Sequence, residues 1–139
     1  ENIVGIASLG KAVEIYDYSF VNYWKRDYIL DRIQSEITYC QLLGSKENRL
    51  PLNLYLYISG IQGEDLMTLM DLDGYQISTG SACNNGSKVP SPTLSAIGLD
   101  KCYMNSCIRI TLSGYENFEE LNNICNTLKK NIEILRVMK

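Results

Sequence analysis

One run of seven residues, LNLYLYI at positions 52–58, constrains the fold of this chain more than any other feature of its sequence. Apolar residues occupy every second position of the run and alternate with Asn53, Tyr55 and Tyr57, which is the period of a β-strand with one buried face. Such a strand needs partner strands and a covering layer, because a lone strand or hairpin is marginal in water. The run therefore predicts a small sheet.

Helical periodicities surround this strand. Ile29, Ile33 and Ile37 recur every four residues, and Asn117 with Glu120 gives an N-cap pattern before a long apolar stripe. In chain order we predict two helical segments within 2–37 with a joint near 17–23, strands at 39–43 and 52–58, a helix at 64–73, a strand at 75–79, a loop at 80–92, a short helix near 93–97, a strand at 107–112 and a final helix. The predicted fold is α/β, of the two-layer α+β kind, with three to four strands and helices packed on one face.

Composition excludes several classes of protein. The 139 residues are 45% apolar and 21% charged, which is typical of one globular domain. The formal net charge is −3 and the basic residues are scattered, so nucleic acid is not an expected partner. No apolar run approaches the roughly 20 residues that span a bilayer. We expect a cytoplasmic protein without a membrane partner.

The cysteines indicate a reducing compartment. There are five of them, an odd number without C-x-x-C spacing, and there is no histidine to activate a thiol or bind a metal. Only Cys83 lies outside an apolar pattern, in the run GSACNNGSKVPSP at 80–92. Cys83 is therefore either a small turn residue or an accessible reactive thiol. The other four are assigned to packing and structure: Cys40, Cys102, Cys107 and Cys125.

Arg109 and two pairs of carboxylates are the other candidates for chemistry. Arg109 lies in the strand-like run SCIRITLS, where its guanidinium either faces water or binds an anion such as a carboxylate. The pairs Glu64/Asp65 and Asp71/Asp73 fall at helix ends, where carboxylates normally face solvent. We predict no metal site from them.

Residues 49–113, with the element STGSAC and its long polar loop, resemble the cysteine desulfurases of the NifS and IscS type, within the class V aminotransferase family. The opening ENIVGIASLGKAVE is similar to the segment by which that family leaves its large domain. The resemblance implies that residues 1–139 are the carboxy-terminal small domain of a fold-type I pyridoxal phosphate (PLP) enzyme. It also implies that 1–24 is the helix leading out of the large domain.

The same resemblance implies a reaction and its site residues. PLP would act as the electron sink that loosens the C–S bond of L-cysteine. Cys83 would accept the sulfur as a persulfide with release of alanine, and Arg109 would bind the substrate's α-carboxylate. The persulfide would then pass to a sulfur-acceptor protein, for example in iron–sulfur cluster assembly. The complete enzyme would be a homodimer.

The chain departs from the family pattern at two places. Leu52 and Asn53 follow Pro51 where the family often has two asparagines, and Pro92 follows Ser91 where it often has histidine. The family's Schiff-base lysine and most phosphate contacts belong to the large domain. We therefore predict no cofactor-binding residue in this chain and no activity in isolation.

Two other functions fit the same residues. A selenocysteine lyase or another C–S lyase would use the same loop and arginine on a neighbouring substrate. A sulfur carrier or interaction module without catalytic activity would retain the loop alone. The chain begins at Glu1 rather than at Met, in a helical pattern, which favours part of a longer enzyme over a free-standing carrier.

Overall fold

The computed structural model describes residues 1–16, 23–79 and 91–138. Its elements in chain order are α1 (Ile3–Ile15), α2 (Tyr23–Glu36), β1 (Cys40–Leu42), β2 (Asn53–Ile58), α3 (Gly63–Leu72), β3 (Ser78–Thr79), α4 (Pro92–Ala96), a 3₁₀ helix (Lys101–Ser106), β4 (Cys107–Thr111) and α5 (Phe118–Val137). The predicted loop at 80–92, up to residue 90, and the predicted joint near 17–23, from 17 to 22, lie outside the described residues.

The four strands form one antiparallel sheet in the order β1-β2-β4-β3. The alternation read from residues 52–58 is present, because Leu54, Leu56 and Ile58 are almost fully buried while the residues between them are half-buried. The strand therefore sends its apolar side chains to one face, as its period of two requires.

The main core lies between that face and helices α2, α3 and α5. It is formed by aliphatic side chains that are less than a tenth exposed. Its members include Ile29 and Ile33 of α2, Leu66 and Met70 of α3, Ile108 and Ile110 of β4, and Leu121, Leu128 and Ile132 of α5. This arrangement confirms the predicted α/β fold with helices packed on one face of a small sheet.

A smaller apolar cluster covers part of the opposite face. Leu43, Leu94, Met104 and Cys107 are buried there, with Tyr55 and Tyr57 packed against them. Leu94 comes from α4 and Met104 from the 3₁₀ helix, so these short helices cover the second face incompletely. We name this side of the sheet the second face.

Local signals explain where the helices begin and end. Asn117 and Glu120 form the predicted capping box at the start of α5. The chain closes α3 with Gly74 at a φ of 87°, and the Tyr75 N–H donates to the Met70 carbonyl. This is the hydrogen-bond pattern of a glycine-terminated helix.

That closure corrects the prediction of a strand over 75–79. Because the backbone of residues 74 and 75 completes the end of α3, strand pairing begins only at Ser78 and lasts for two residues. The 3₁₀ helix at 101–106 was not predicted, since its sequence KCYMNS has no clear period. The predicted strands at 39–43, 52–58 and 107–112 are confirmed within a residue or two.

Two basic side chains connect distant parts of the chain. Lys25 Nζ donates to the carbonyls of Gly114 and Glu116, each at 2.6 Å, which joins α2 to the turn before α5. Arg136 donates to the carbonyls of Thr38 and Ser59 at 2.7 and 2.9 Å, which holds the end of α5 against the sheet. Among the described residues, no helix is both long enough and apolar enough to span a bilayer.

Candidate functional site

Arg109 lies at the centre of β4, with its side chain on the second face. Its neighbours Ile108 and Ile110 point into the main core, so the pleat of the strand sends Arg109 to the other side. Across the sheet it pairs with Tyr55 of β2 on one side and with Ser78 of β3 on the other. The guanidinium therefore leaves the sheet between a phenol and a hydroxyl.

The guanidinium of Arg109 has no polar partner within the described ranges 1–16, 23–79 and 91–138, although the side chain is half-buried. The other arginines of the chain each donate at least two hydrogen bonds: Arg26, Arg32, Arg49 and Arg136. A planar cation with five donors is suited to bidentate binding of a carboxylate. Arg109 is the arginine left available for this role.

Tyr55 is the second polar group at this point of the sheet. Its hydroxyl oxygen is buried and has no hydrogen-bond partner of normal geometry within the described part of the chain. Burial raises the pKa of the Tyr55 phenol, while the nearby Ser91 hydroxyl and the charge of Arg109 act in the opposite direction. Ser91 itself caps α4 by accepting from the Leu94 N–H.

Cys83 lies outside the described residues, but both ends of the segment that carries it are placed. Thr79 ends β3 directly after Ser78, which is the partner of Arg109. At the other end, Ser91 lies beside Tyr55. Three residues lie between Thr79 and Cys83, and these four residue steps span at most about 14 Å. The segment with Cys83 therefore starts and finishes around Arg109.

The other thiols differ in exposure. Cys107 and Cys125 are buried and Cys40 is packed against the main core, as predicted. Cys102 is exposed, so its assignment to packing is wrong; the 3₁₀ helix that turns it outward was not predicted. Partial desolvation and the neighbouring Asp100 raise the pKa of Cys102.

The acidic pairs have structural surroundings. Glu64 and Asp65 lie in the first turn of α3, and Asp73 accepts hydrogen bonds from Lys130 and Asn131 of α5. These bonds, from Asn131 first and then from Lys130, lower the pKa of Asp73. No group of three or more metal-ligating side chains occurs among the described residues.

The sequence pattern did not identify Tyr55, Ser78 and Ser91 as neighbours of Arg109. The alternation in 52–58 places Tyr55 on the less buried face of its strand, which is the only signal that the sequence contains. The register that sets Tyr55 and Ser78 against Arg109 depends on the pairing of β2, β4 and β3.

The fold and these residues define a class of protein. Residues 1–124 match the family model described as "Aminotransferase class-V", and the chain belongs to that family. Enzymes of this family are PLP-dependent.

The proteins similar to this chain include cysteine desulfurases. The chain is 36% identical to cysteine desulfurase IscS of Dictyoglomus turgidum and 34% identical to cysteine desulfurase IscS 1 of Archaeoglobus fulgidus. Each comparison covers 99% of this chain, and respectively 36% and 37% of the relative. The chain thus spans little more than a third of the length of these relatives.

Solved structures show the same fold. A NifS-like protein with 25% sequence identity superimposes with a TM-score of 0.63 over 83% of this chain and 27% of its own length. The NifS-like protein from Rickettsia africae gives a TM-score of 0.68 at 15% identity, over 84% of this chain and 29% of its own. The predicted resemblance to NifS-like and IscS-like proteins is confirmed.

Proposed function

We propose that this chain is the small domain of a cysteine desulfurase, in which sulfur passes from L-cysteine to Cys83 with release of L-alanine. The observation that carries the proposal is the position of Arg109. Its guanidinium has no partner in the described residues, and the two ends of the Cys83 segment lie beside it. The curated relatives are themselves cysteine desulfurases.

Arg109 orients the substrate. Its two parallel N–H groups bind the α-carboxylate of L-cysteine, which fixes one end of the amino acid against the second face of the sheet. The thiol end of the substrate is then free to meet the segment that carries Cys83. Holding two reactants in such a geometry replaces a bimolecular encounter with an intramolecular step.

Cys83 is the sulfur acceptor. Its thiolate attacks the substrate sulfur, so that an S–S bond forms while the substrate C–S bond breaks and its electron pair remains on carbon. A proton added to that carbon gives L-alanine. The chain contains no histidine, so the Cys83 thiol loses its proton to a base other than a histidine of this chain.

PLP, when bound, withdraws electrons from the substrate and weakens its C–S bond. We assign its binding to a large domain that precedes this one in the complete enzyme, with residues 1–24 leading out of that domain. Helix α1 supports the assignment, because it is rich in apolar residues and has no buried residue. On this proposal, residues 1–139 alone are inactive.

The wider setting follows from the same proposal. The complete enzyme is a cytoplasmic homodimer, and the persulfide on Cys83 passes to an acceptor protein such as an iron–sulfur cluster scaffold. The ends of the Cys83 segment lie on a face that the short helices cover only in part, which supports such a transfer.

The proposal is tested by changing Cys83 to serine in the complete, cofactor-loaded enzyme. We expect loss of alanine release from L-cysteine, because serine cannot form the S–S bond, while the absorbance of the bound cofactor stays unchanged. The matched control is Cys102→Ser, which removes another exposed thiol. Alanine release by Cys83→Ser at the parental rate would refute the assignment.

A further inference from the structure

We propose that the Tyr55 hydroxyl is a second donor to the substrate's α-carboxylate and sets the affinity of the site together with Arg109. This inference rests on the proposed function and extends it. It names a positioning and specificity residue that neither the sequence pattern nor the resemblance identified.

The sheet register places Tyr55 against Arg109. The two residues are directly opposite each other on adjacent antiparallel strands and share the second face. Residues paired in this way have Cβ atoms about 4.5 to 5.5 Å apart. A group bound by the guanidinium of Arg109 therefore lies within range of the neighbouring phenol.

Neither group has a hydrogen bond of normal geometry within the described part of the chain, although the Ser91 hydroxyl lies beside Tyr55. The Tyr55 hydroxyl is a buried polar atom without a hydrogen bond of normal geometry, and the Arg109 guanidinium forms no ion pair. A buried donor without an acceptor destabilises the fold, and native proteins seldom retain one without a reason. Two donors that lie side by side without a normal hydrogen bond in the described residues match one ligand that offers several lone pairs.

A carboxylate fits this pair of donors. Its two oxygens together accept about four hydrogen bonds, of which a bidentate arginine uses two. One remaining position is open to the Tyr55 hydroxyl. A neutral amide in place of the carboxylate offers fewer lone pairs and no charge, so it loses most of this recognition.

Two neighbours of Tyr55 provide controls. Tyr57 lies two residues along the same strand and on the same face. Its partner across the sheet is Cys107, and its ring packs edge-on against the ring of Tyr103, with the two ring centroids 5.2 Å apart. The Ser91 side chain lies beside Tyr55 and is the alternative hydrogen-bond partner of the Tyr55 hydroxyl. Each control changes one hydroxyl.

The experiment measures binding of L-alanine, the product of the proposed reaction, and of L-alaninamide to the complete enzyme by calorimetry. For Tyr55→Phe we expect L-alanine to bind about tenfold more weakly, as for loss of a hydrogen bond to a charged group. Binding of L-alaninamide should change less than twofold. KM for L-cysteine should rise by a similar factor while kcat stays within about twofold, because the contact is the same in the ground state and the transition state.

The outcomes separate this inference from the proposed function. If Arg109→Ala leaves L-alanine binding unchanged, the carboxylate site of the proposed function is wrong. If Arg109→Ala weakens binding and Tyr55→Phe does not, only the role of Tyr55 is refuted. The role of Tyr55 is also refuted if Tyr57→Phe or Ser91→Ala weakens L-alanine binding as much as Tyr55→Phe does. It is refuted as well if Tyr55→Phe weakens binding of L-alaninamide as much as binding of L-alanine.

Discussion

Burial makes three thiols of this domain hard to ionise. Burial raises the pKa of Cys40, Cys107 and Cys125 to about 11 in each case. At pH 7 each of these thiols is therefore protonated in nearly all molecules, and a protonated thiol is a poor nucleophile. On the proposed function, none of these three would compete with Cys83 for the substrate sulfur.

The raised thiol pKa values predict that the domain loses stability at alkaline pH. An unfolded thiol ionises near pH 8.5. Between about pH 8.5 and 11 the folded state therefore holds more protons than the unfolded state, and the free energy of unfolding falls as pH rises. Each fully buried thiol, Cys107 or Cys125, should contribute a loss of about 1 to 3 kcal/mol across this window.

The measurement is urea unfolding of the chain at pH 8 and at pH 10.5. Cys125→Ala serves as the comparison, because it removes one buried thiol and leaves the tyrosines, which also ionise in this range. Its free energy of unfolding should depend less steeply on pH than that of the parent. Identical pH dependence in the two proteins would show that Cys125 ionises normally.

At the scale of elements, the close approach of α3 to β4 sets the position of the strand that carries Arg109. Gly63 is the first residue of α3 and is buried. A Cβ atom at this position would lie 2.7 Å from the Cys107 carbonyl oxygen and 3.2 Å from that of Asn105. Both contacts are to backbone, which cannot move aside as a side chain can. Gly63 thus lets α3 begin directly beside β4.

We expect Gly63→Ala to lower the free energy of unfolding by about 1 to 3 kcal/mol, as for an overpacked core position. The matched control is Gly10→Ala, since no atom lies within 4 Å of a Cβ at Gly10. The control should stay within about 0.5 kcal/mol of the parent. Chemical denaturation followed by circular dichroism measures both. Equal stability of the two variants would contradict the proposed packing constraint.

At the scale of the whole molecule, α1 stands apart from the packed domain. None of its residues is buried, and large apolar side chains such as Val4 and Leu9 are 77% and 67% exposed. The core is complete without it, because α2, α3 and α5 cover the sheet. An apolar helix with all its faces exposed contributes little to the stability of this domain.

A chain that begins at Tyr23 should therefore keep the urea midpoint of the parent, with a free energy of unfolding changed by less than about 1 kcal/mol. Lys25→Met is the contrasting variant, because Lys25 donates hydrogen bonds to two backbone carbonyls near the start of α5. It should lower stability by about 1 to 3 kcal/mol. A large loss on removing residues 1–22 would mean that α1 packs on the domain.

The sequence by itself determined the local elements and the chemical candidates. The alternation in 52–58, the capping box at Asn117 and the apolar stripe of α5 are short-range signals, and each appears in the structure as predicted. Cys83, in a run without apolar pattern, and Arg109, in a largely apolar strand, were candidates from the sequence, and the family resemblance selected their functional interpretation. The tertiary structure decided the rest. Strand order and register brought Tyr55 and Ser78 to Arg109, because pairing between distant strands depends on packing of the whole sheet rather than on neighbouring residues.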